Sequence, residues 1–183
     1  LAEPVMTNIG IIHPEPGYHQ ALRTVTRNTG TLLILDETHT ISAGPGSYTS
    51  ENKLEPDMLT VGKAIASGFP AAAYGFSKDV AELIRTRVGH KESSASDETG
   101  IGGTLSANAL AIAMIKTTLS HVLHDASYQY TIPLAMRFND GIKGIIDDLE
   151  LPWSVARLGC RTEYWFCETQ VRNGSEALAT VDD

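Results

Sequence analysis

Two short apolar runs, each stopping on a charge, constrain this chain more than any other feature in it. Leu32-Leu33-Ile34-Leu35 halts at Asp36. Beyond a Gly/Pro-rich loop, Met58-Leu59-Thr60-Val61-Gly62 halts at Lys63. Runs of this length bounded by turn residues read as buried parallel strands. Open α/β sheets bind ligands at the carboxyl ends of such strands. Asp36 and Lys63 are therefore candidates for one site inside Thr31–Tyr74, and the fold class is α/β.

The flanking segments agree with that frame. Leu1 to Val5 reads as the tail of a strand, and Met6 to Gly17 as a loop. Tyr18 to Asn28 reads as an amphipathic helix, with Leu22, Val25 and Thr26 on one side, closed by Gly30 at its C-cap. A strand–helix–strand unit of this kind is right-handed and pairs its strands in parallel. Thr40 to Pro56 is expected to be loop, and Ala64 to Pro70 is too Gly-broken for a long helix. Ala71 to Phe76 reads as another buried segment. Ser77 is placed to cap a helix over Lys78 to Arg85, with acidic Asp79 near its positive end.

Val88 to Gly103 is polar and rich in Gly and Ser, a surface loop. Ser106 to Leu123 is the strongest helical pattern, offering Leu110, Ala113, Met114, Thr117 and Leu119 to a core. A second helix, roughly Ser127 to Ile146, starts or kinks at Pro133. From Leu151 the composition turns to β, through Val155 to Leu158 and Glu163 to Phe166 around Gly159. Two units are expected, residues 1–120 and a smaller α/β unit over 121–183. Because both ends fall inside apparent secondary structure, the chain reads as a fragment of a longer protein.

Composition removes several function classes. The formal charge of −8, with 14 Lys and Arg scattered along the chain, argues against a nucleic-acid face. No window approaches the ~18 apolar residues of a membrane span. Two cysteines, Cys160 and Cys167, are too few for a disulfide framework and read as reduced packing residues in a cytoplasmic protein. His121 and His124 lie one helical turn apart without a third ligand, so no metal is expected. His13, His19 and His90 read as surface or helix residues, and Trp153, Tyr164, Trp165 and Phe166 as core of the smaller unit.

An amine at the end of an apolar run should be partly desolvated, hence nucleophilic toward carbonyls. Taken alone, Lys63 reads first as a surface lysine that ends a strand, and Asp36 fits a helix or turn cap equally well. As a pair they match one cofactor, pyridoxal 5'-phosphate, whose aldehyde takes a lysine and whose ring nitrogen needs an anion. Gly102-Gly103-Thr104-Leu105-Ser106, opening the strongest helix, offers backbone N–H groups and a hydroxyl to a phosphate.

The strings EPVMTNIG, LLILDETHT, LTVGKAIASGFPAAAYG and GGTLSANALA, in that order, resemble class III aminotransferases, with the nearest look to the glutamate-1-semialdehyde aminomutase-like branch. The resemblance runs over nearly the whole chain. It implies a fold-type I enzyme, seen from the middle of its large domain (a mostly parallel sheet with flanking helices) into the small C-terminal domain. It also implies a homodimer acting on a small-molecule amino donor and a keto-acid acceptor.

Residue by residue, Lys63 matches the lysine that forms a Schiff base with the cofactor and moves the proton. Asp36 matches the partner of the ring nitrogen. Thr38 matches a position, usually Val, that packs on the ring. His39 matches a position near the ring's phenolic oxygen, to which a His could donate a hydrogen bond. Thr104 matches a threonine lent across the dimer to the neighbour's phosphate. Arg161 and Arg172 are possible carboxylate clamps.

Departures from the pattern sharpen the reading. Thr38 puts a hydroxyl where the family has an apolar contact, and Asn8 stands where many ω-amino-acid transaminases carry Glu. The run between Lys63 and Gly68 differs from the aminomutase Gly-rich run. That favours transfer of the amine to a second substrate over its return to another carbon of the same one. The upstream phosphate loop and ring-stacking aromatic are missing, so a catalytically incomplete fragment is a further expectation.

Overall fold

In a computed structural model, described over residues 1–88, 103–168 and 170–180, the elements follow the expected order. They are α1 (Tyr18–Thr29), β1 (Ile34–Asp36), α2 (Ser47–Glu51), β2 (Met58–Gly62), β3 (Ala72–Phe76), α3 (Lys78–Val88), α4 (Ala109–His121), α5 (Asp125–Asp148), β4 (Ser154–Leu158), β5 (Arg161–Trp165) and α6 (Gly174–Ala179). The expected loop between residues 89 and 102, with His90 and Gly102, lies outside the described residues.

β1 and β2 pair in parallel with Ile34 opposite Met58 and Asp36 opposite Thr60. On the far side of β1, Ala2 bridges Leu35 in parallel. β3 continues the sheet antiparallel to β2. α1 is fixed to the sheet by a two-pronged ion pair, Arg23 to Asp57 at 2.7 and 2.8 Å. The same carboxylate accepts the Leu33 amide at 2.7 Å, just ahead of β1. Gly30 closes α1 in the left-handed conformation.

A second layer forms over the loops. Val5 and Ile11 join Ala156 and Leu158 of β4 in one buried cluster, against which Ala43 and Tyr48 pack. Met6 and Ile12 exchange backbone hydrogen bonds and so close residues 6–12 into a small hairpin. At the β4–β5 turn, the Cys160 amide and thiol both donate to the Ser42 carbonyl, at 3.0 and 3.2 Å. Tyr128 of α5 donates to the Ile41 carbonyl at 2.8 Å. The segment that follows β1 is thereby clamped from two sides. Cys167, with Trp165, packs against a second cluster of Ile12, Val171 and Ala177.

Several expectations are corrected. Thr40–Ala43 is a 3-10 turn and Ser47–Glu51 a short helix, where a plain loop was expected over Thr40 to Pro56. Local propensity is not what forms them. The Glu37 carboxylate, with no exposed surface, accepts the Thr40 hydroxyl and the Thr49 amide and holds both turns. β3 is a strand, but all five of its residues are exposed, so Ala71 to Phe76 is not buried within this chain.

α4 begins at Ala109, not Ser106, because the Asn108 side chain takes the capping bond from the Ala111 amide at 2.9 Å. Its inward residues are Ala111 and Thr118, while Leu110 and Leu119 face out. A helix apolar on every side gives no periodic signal for the face it buries. α5 runs through Pro133 without ending there. Of the C-terminal aromatics only Trp165 packs into a core, while Trp153, Tyr164 and Phe166 stack on one another with Tyr164 and Phe166 exposed.

Candidate functional site

The site grows from the strand register. Asp36 closes β1 opposite Thr60, and Lys63 follows the last residue of neighbouring β2. The Glu37 amide still donates to the Thr60 carbonyl at 2.8 Å, which holds the two strand ends together past the last pair. Lys63 itself takes a left-handed backbone, φ 47°. That conformation costs an L-residue roughly 1–2 kcal/mol and aims the chain out of the sheet. Asp36, Lys63, Thr38, His39, Asn8 and Glu3 together line a cavity of about 160 Å³. Lys63 also borders an open hollow with Gly68, Phe69 and Pro70.

Burial alone would push the Asp36 carboxyl up. The Thr38 hydroxyl and amide, the Thr60 hydroxyl and the Lys63 charge outweigh it and hold Asp36 below the usual carboxylate range. The Thr38 amide bond is 2.9 Å. Asp36 is thus an anion at neutral pH with donors already in place. Thr38 divides its side chain between two tasks: its hydroxyl helps to keep the Asp36 carboxyl low, and its methyl lies against Gly62 at the end of β2.

His39 continues the same turn. Its Nδ1 lies 2.8 Å from the Thr7 hydroxyl, and that hydroxyl donates to Glu3 at 2.9 Å. Burial lowers the His39 pKa below its ordinary value first, and the Lys63 and Arg161 charges add to this against the pull of Glu3 and Asp36. Thr7 is almost wholly buried, and its carbonyl accepts from Arg161 at 3.0 Å.

Four of the expected site residues, Asp36, Thr38, His39 and Lys63, therefore come together. Thr104 does not join them. It is exposed, within the turn that precedes the Asn108 cap of α4. Lys63 is exposed, not partly desolvated as expected, because it projects from a left-handed turn at the strand end. Arg161 and Arg172 already have protein partners: Arg161 pairs with Glu163, and Arg172 donates to Glu15 at 2.7 Å.

Sequence reasoning missed Glu3, Thr7 and Thr60. Glu3 and Thr7 were visible only as letters of EPVMTNIG. Their spacing of four places them together only once residues 6–12 fold back, and no helical period announces that. Thr60 faces Asp36 across the strand pair, which becomes legible once the register is known.

Comparison with known proteins bears on this arrangement. Residues 1–161 match the family aminotransferase class-III. Over 181 residues the chain is 32% identical to a glutamate-1-semialdehyde 2,1-aminomutase 2 of Halalkalibacterium halodurans, covering 98% of this chain and 40% of that protein. It is similar to the crystal structure of a glutamate-1-semialdehyde-aminomutase from Pseudomonas aeruginosa PAO1 in complex with PMP. There the TM-score is 0.92 at 40% identity, over 97% of this chain and 40% of that one. A β-phenylalanine aminotransferase from Variovorax paradoxus shares the fold, with TM-score 0.81 at 22% identity. The chain thus spans about 40% of the length of these relatives.

Proposed function

The chain belongs to the class-III aminotransferase family, and from that premise we propose that this protein moves an amino group from an amino acid or amine to a keto acid on pyridoxal 5'-phosphate. One observation carries the reading: a carboxylate held ionised and a lysine amine, delivered by adjacent strand ends, line the same cavity. Cavities of roughly 150 Å³ take a single aromatic ring, and this one measures about 160 Å³. The donor set suits the ring half of the cofactor. Among the described residues nothing lining this cavity forms a phosphate cradle.

When bound, the cofactor supplies an aldehyde that takes an amine and a ring that draws electrons from it. The chain's own residues do the rest. Asp36, kept anionic by Thr38 and Thr60, is the charge partner for a protonated ring nitrogen. Thr38 lines the cavity with its methyl packed against Gly62. The Lys63 amine is the point of covalent attachment, and once released it holds and returns a proton at Nζ. Thr104 serves a phosphate on a second subunit, which makes the working form a homodimer. We place the protein in the cytoplasm, in line with its two cysteines. Among the described residues no helix is long and apolar enough to cross a membrane. The boundary between the larger and smaller units falls between α4 and α5.

The names of the relatives favour a second reading, in which the amine returns to a different carbon of one substrate, as in an aminomutase. Isotope transfer separates the two. With a ¹⁵N-labelled donor and an unlabelled keto acid, the transferase reading expects label in the newly formed amino acid. Turnover with no second substrate and no label transfer would support the aminomutase. Absence of both activities from the full-length protein would remove the proposal.

A further inference from the structure

The cavity holds one titratable ring, and its protonation pattern follows from counting hydrogens. A threonine hydroxyl has a single hydrogen and two lone pairs, and a carboxylate only accepts. The Thr7 hydroxyl gives its hydrogen to Glu3 at 2.9 Å, so at the 2.8 Å contact with His39 Nδ1 it has only a lone pair to offer. The hydrogen in that contact must therefore sit on Nδ1. A neutral imidazole carries one N–H, so Nε2 is left bare. Among the described residues no hydrogen bond engages Nε2. Thr7 cannot easily turn away, since its side chain is buried and its carbonyl is tied to Arg161.

We propose that Glu3 and Thr7 are positioning residues for His39: they hold its ring as the Nδ1–H tautomer and leave Nε2 as a proton acceptor on a ring that lines the same cavity as Lys63. The tautomer stands on geometry alone. Its use rests on the reading of Lys63 as the reacting amine. A lysine attacks a carbonyl only as the free amine. A proton leaving the Lys63 ammonium can pass transiently through Nε2, an uphill step because imidazole is the weaker base: one N–H bond breaks on Lys63, one forms on His39, and the pair keeps a total charge of +1. The transfer also removes the lysine charge that opposes protonation of the ring. Glu3 and Asp36 favour the resulting imidazolium, and Arg161 opposes it. Hydrogen-bond donation from His39, which the family resemblance suggests, would then require the doubly protonated ring.

Nitrogen NMR of ¹⁵N-histidine-labelled full-length protein without cofactor tests this, with the His39 signals assigned by their loss in His39→Gln. At neutral pH the expected pattern is a protonated Nδ1 and an unprotonated Nε2. Thr7→Val should lose the Nδ1–H signal in favour of Nε2–H, and Thr7→Ser should retain it. If Thr7→Val does not fold, Thr7→Ala gives the same readout, because it too removes the hydroxyl that accepts from Nδ1. In turnover, Thr7→Val should lower kcat more than it raises KM, with recovery in Thr7→Ser. A wild-type ring protonated on Nε2, or a tautomer unmoved in a folded Thr7→Val or Thr7→Ala protein, overturns the inference. Because the NMR needs no cofactor, failure of Lys63 attachment would be recorded separately.

Discussion

Asp36 and Lys63 leave the sheet at the same end of two adjacent parallel strands and face one cavity. The register that pairs Asp36 with Thr60 sets this relationship, and the Thr60 hydroxyl helps to hold the carboxyl low. The pairing of β1 with β2 brings the two strand ends together, and the left-handed turn at Lys63 then carries the lysine out of the sheet.

The Arg23–Asp57 pair should dominate the docking of α1. Both side chains are largely buried, at 19% and 17% exposed. The Arg23 bonds hold Asp57 below the usual carboxylate range, against the opposing effect of burial and with help from the Leu33 amide. A depressed folded-state pKa gives stability that is full above the unfolded value near 3.9 and is lost as pH falls through the folded value. Asp57→Asn should cost about 2 kcal/mol at pH 7. The gap to wild type should shrink below about pH 4. Urea midpoints at both pH values check this, and a gap that widens in acid would contradict it.

Gly159 should tolerate no side chain. Its φ is +56°, and a Cβ there would lie 2.0 Å from the Ser42 carbonyl oxygen. That carbonyl receives both Cys160 bonds, so displacing it would release the β4–β5 turn from the segment after β1. Gly159→Ala should destabilise the protein by about 1–3 kcal/mol, read as a lower melting temperature. An unchanged melting temperature would show that the turn does not pack as described.

His39 should titrate below its ordinary value, chiefly through burial and then through the Lys63 and Arg161 charges, with Glu3 and Asp36 pulling the other way. Removing one of the opposing charges makes the ring easier to protonate. In Lys63→Met the His39 pKa should rise relative to wild type in an NMR titration. A fall, or no change, would separate the two residues electrostatically.

Much of this architecture was legible because its signals are local. The runs ending at Asp36 and Lys63, the left-handed Gly30 after α1 and the β composition around Gly159 all act within a few residues. What stayed hidden depends on partners distant in sequence. Ser47–Glu51 is helical because buried Glu37 accepts the Thr49 amide, which no propensity for Ser-Tyr-Thr-Ser-Glu announces. β3 has the composition of a buried strand, yet Tyr74 is 52% exposed, since nothing among the described residues covers it. Glu3 is brought to the site by the bridge of Ala2 to Leu35 of β1, and Thr7 lies in the fold-back of residues 6–12, whose Ile11 packs with β4. The polar Thr38, which looked like a departure from the family's apolar contact, keeps an apolar contact through its methyl against Gly62 while its hydroxyl helps to hold the Asp36 carboxyl low.

The central claim is that Lys63 is the residue to which the cofactor attaches. Full-length protein incubated with pyridoxal 5'-phosphate, reduced with borohydride and digested, should carry the added cofactor mass on the peptide containing Lys63, and Lys63→Ala should carry none. Cofactor mass on a different lysine, or equal labelling of the Lys63→Ala protein, would contradict the account.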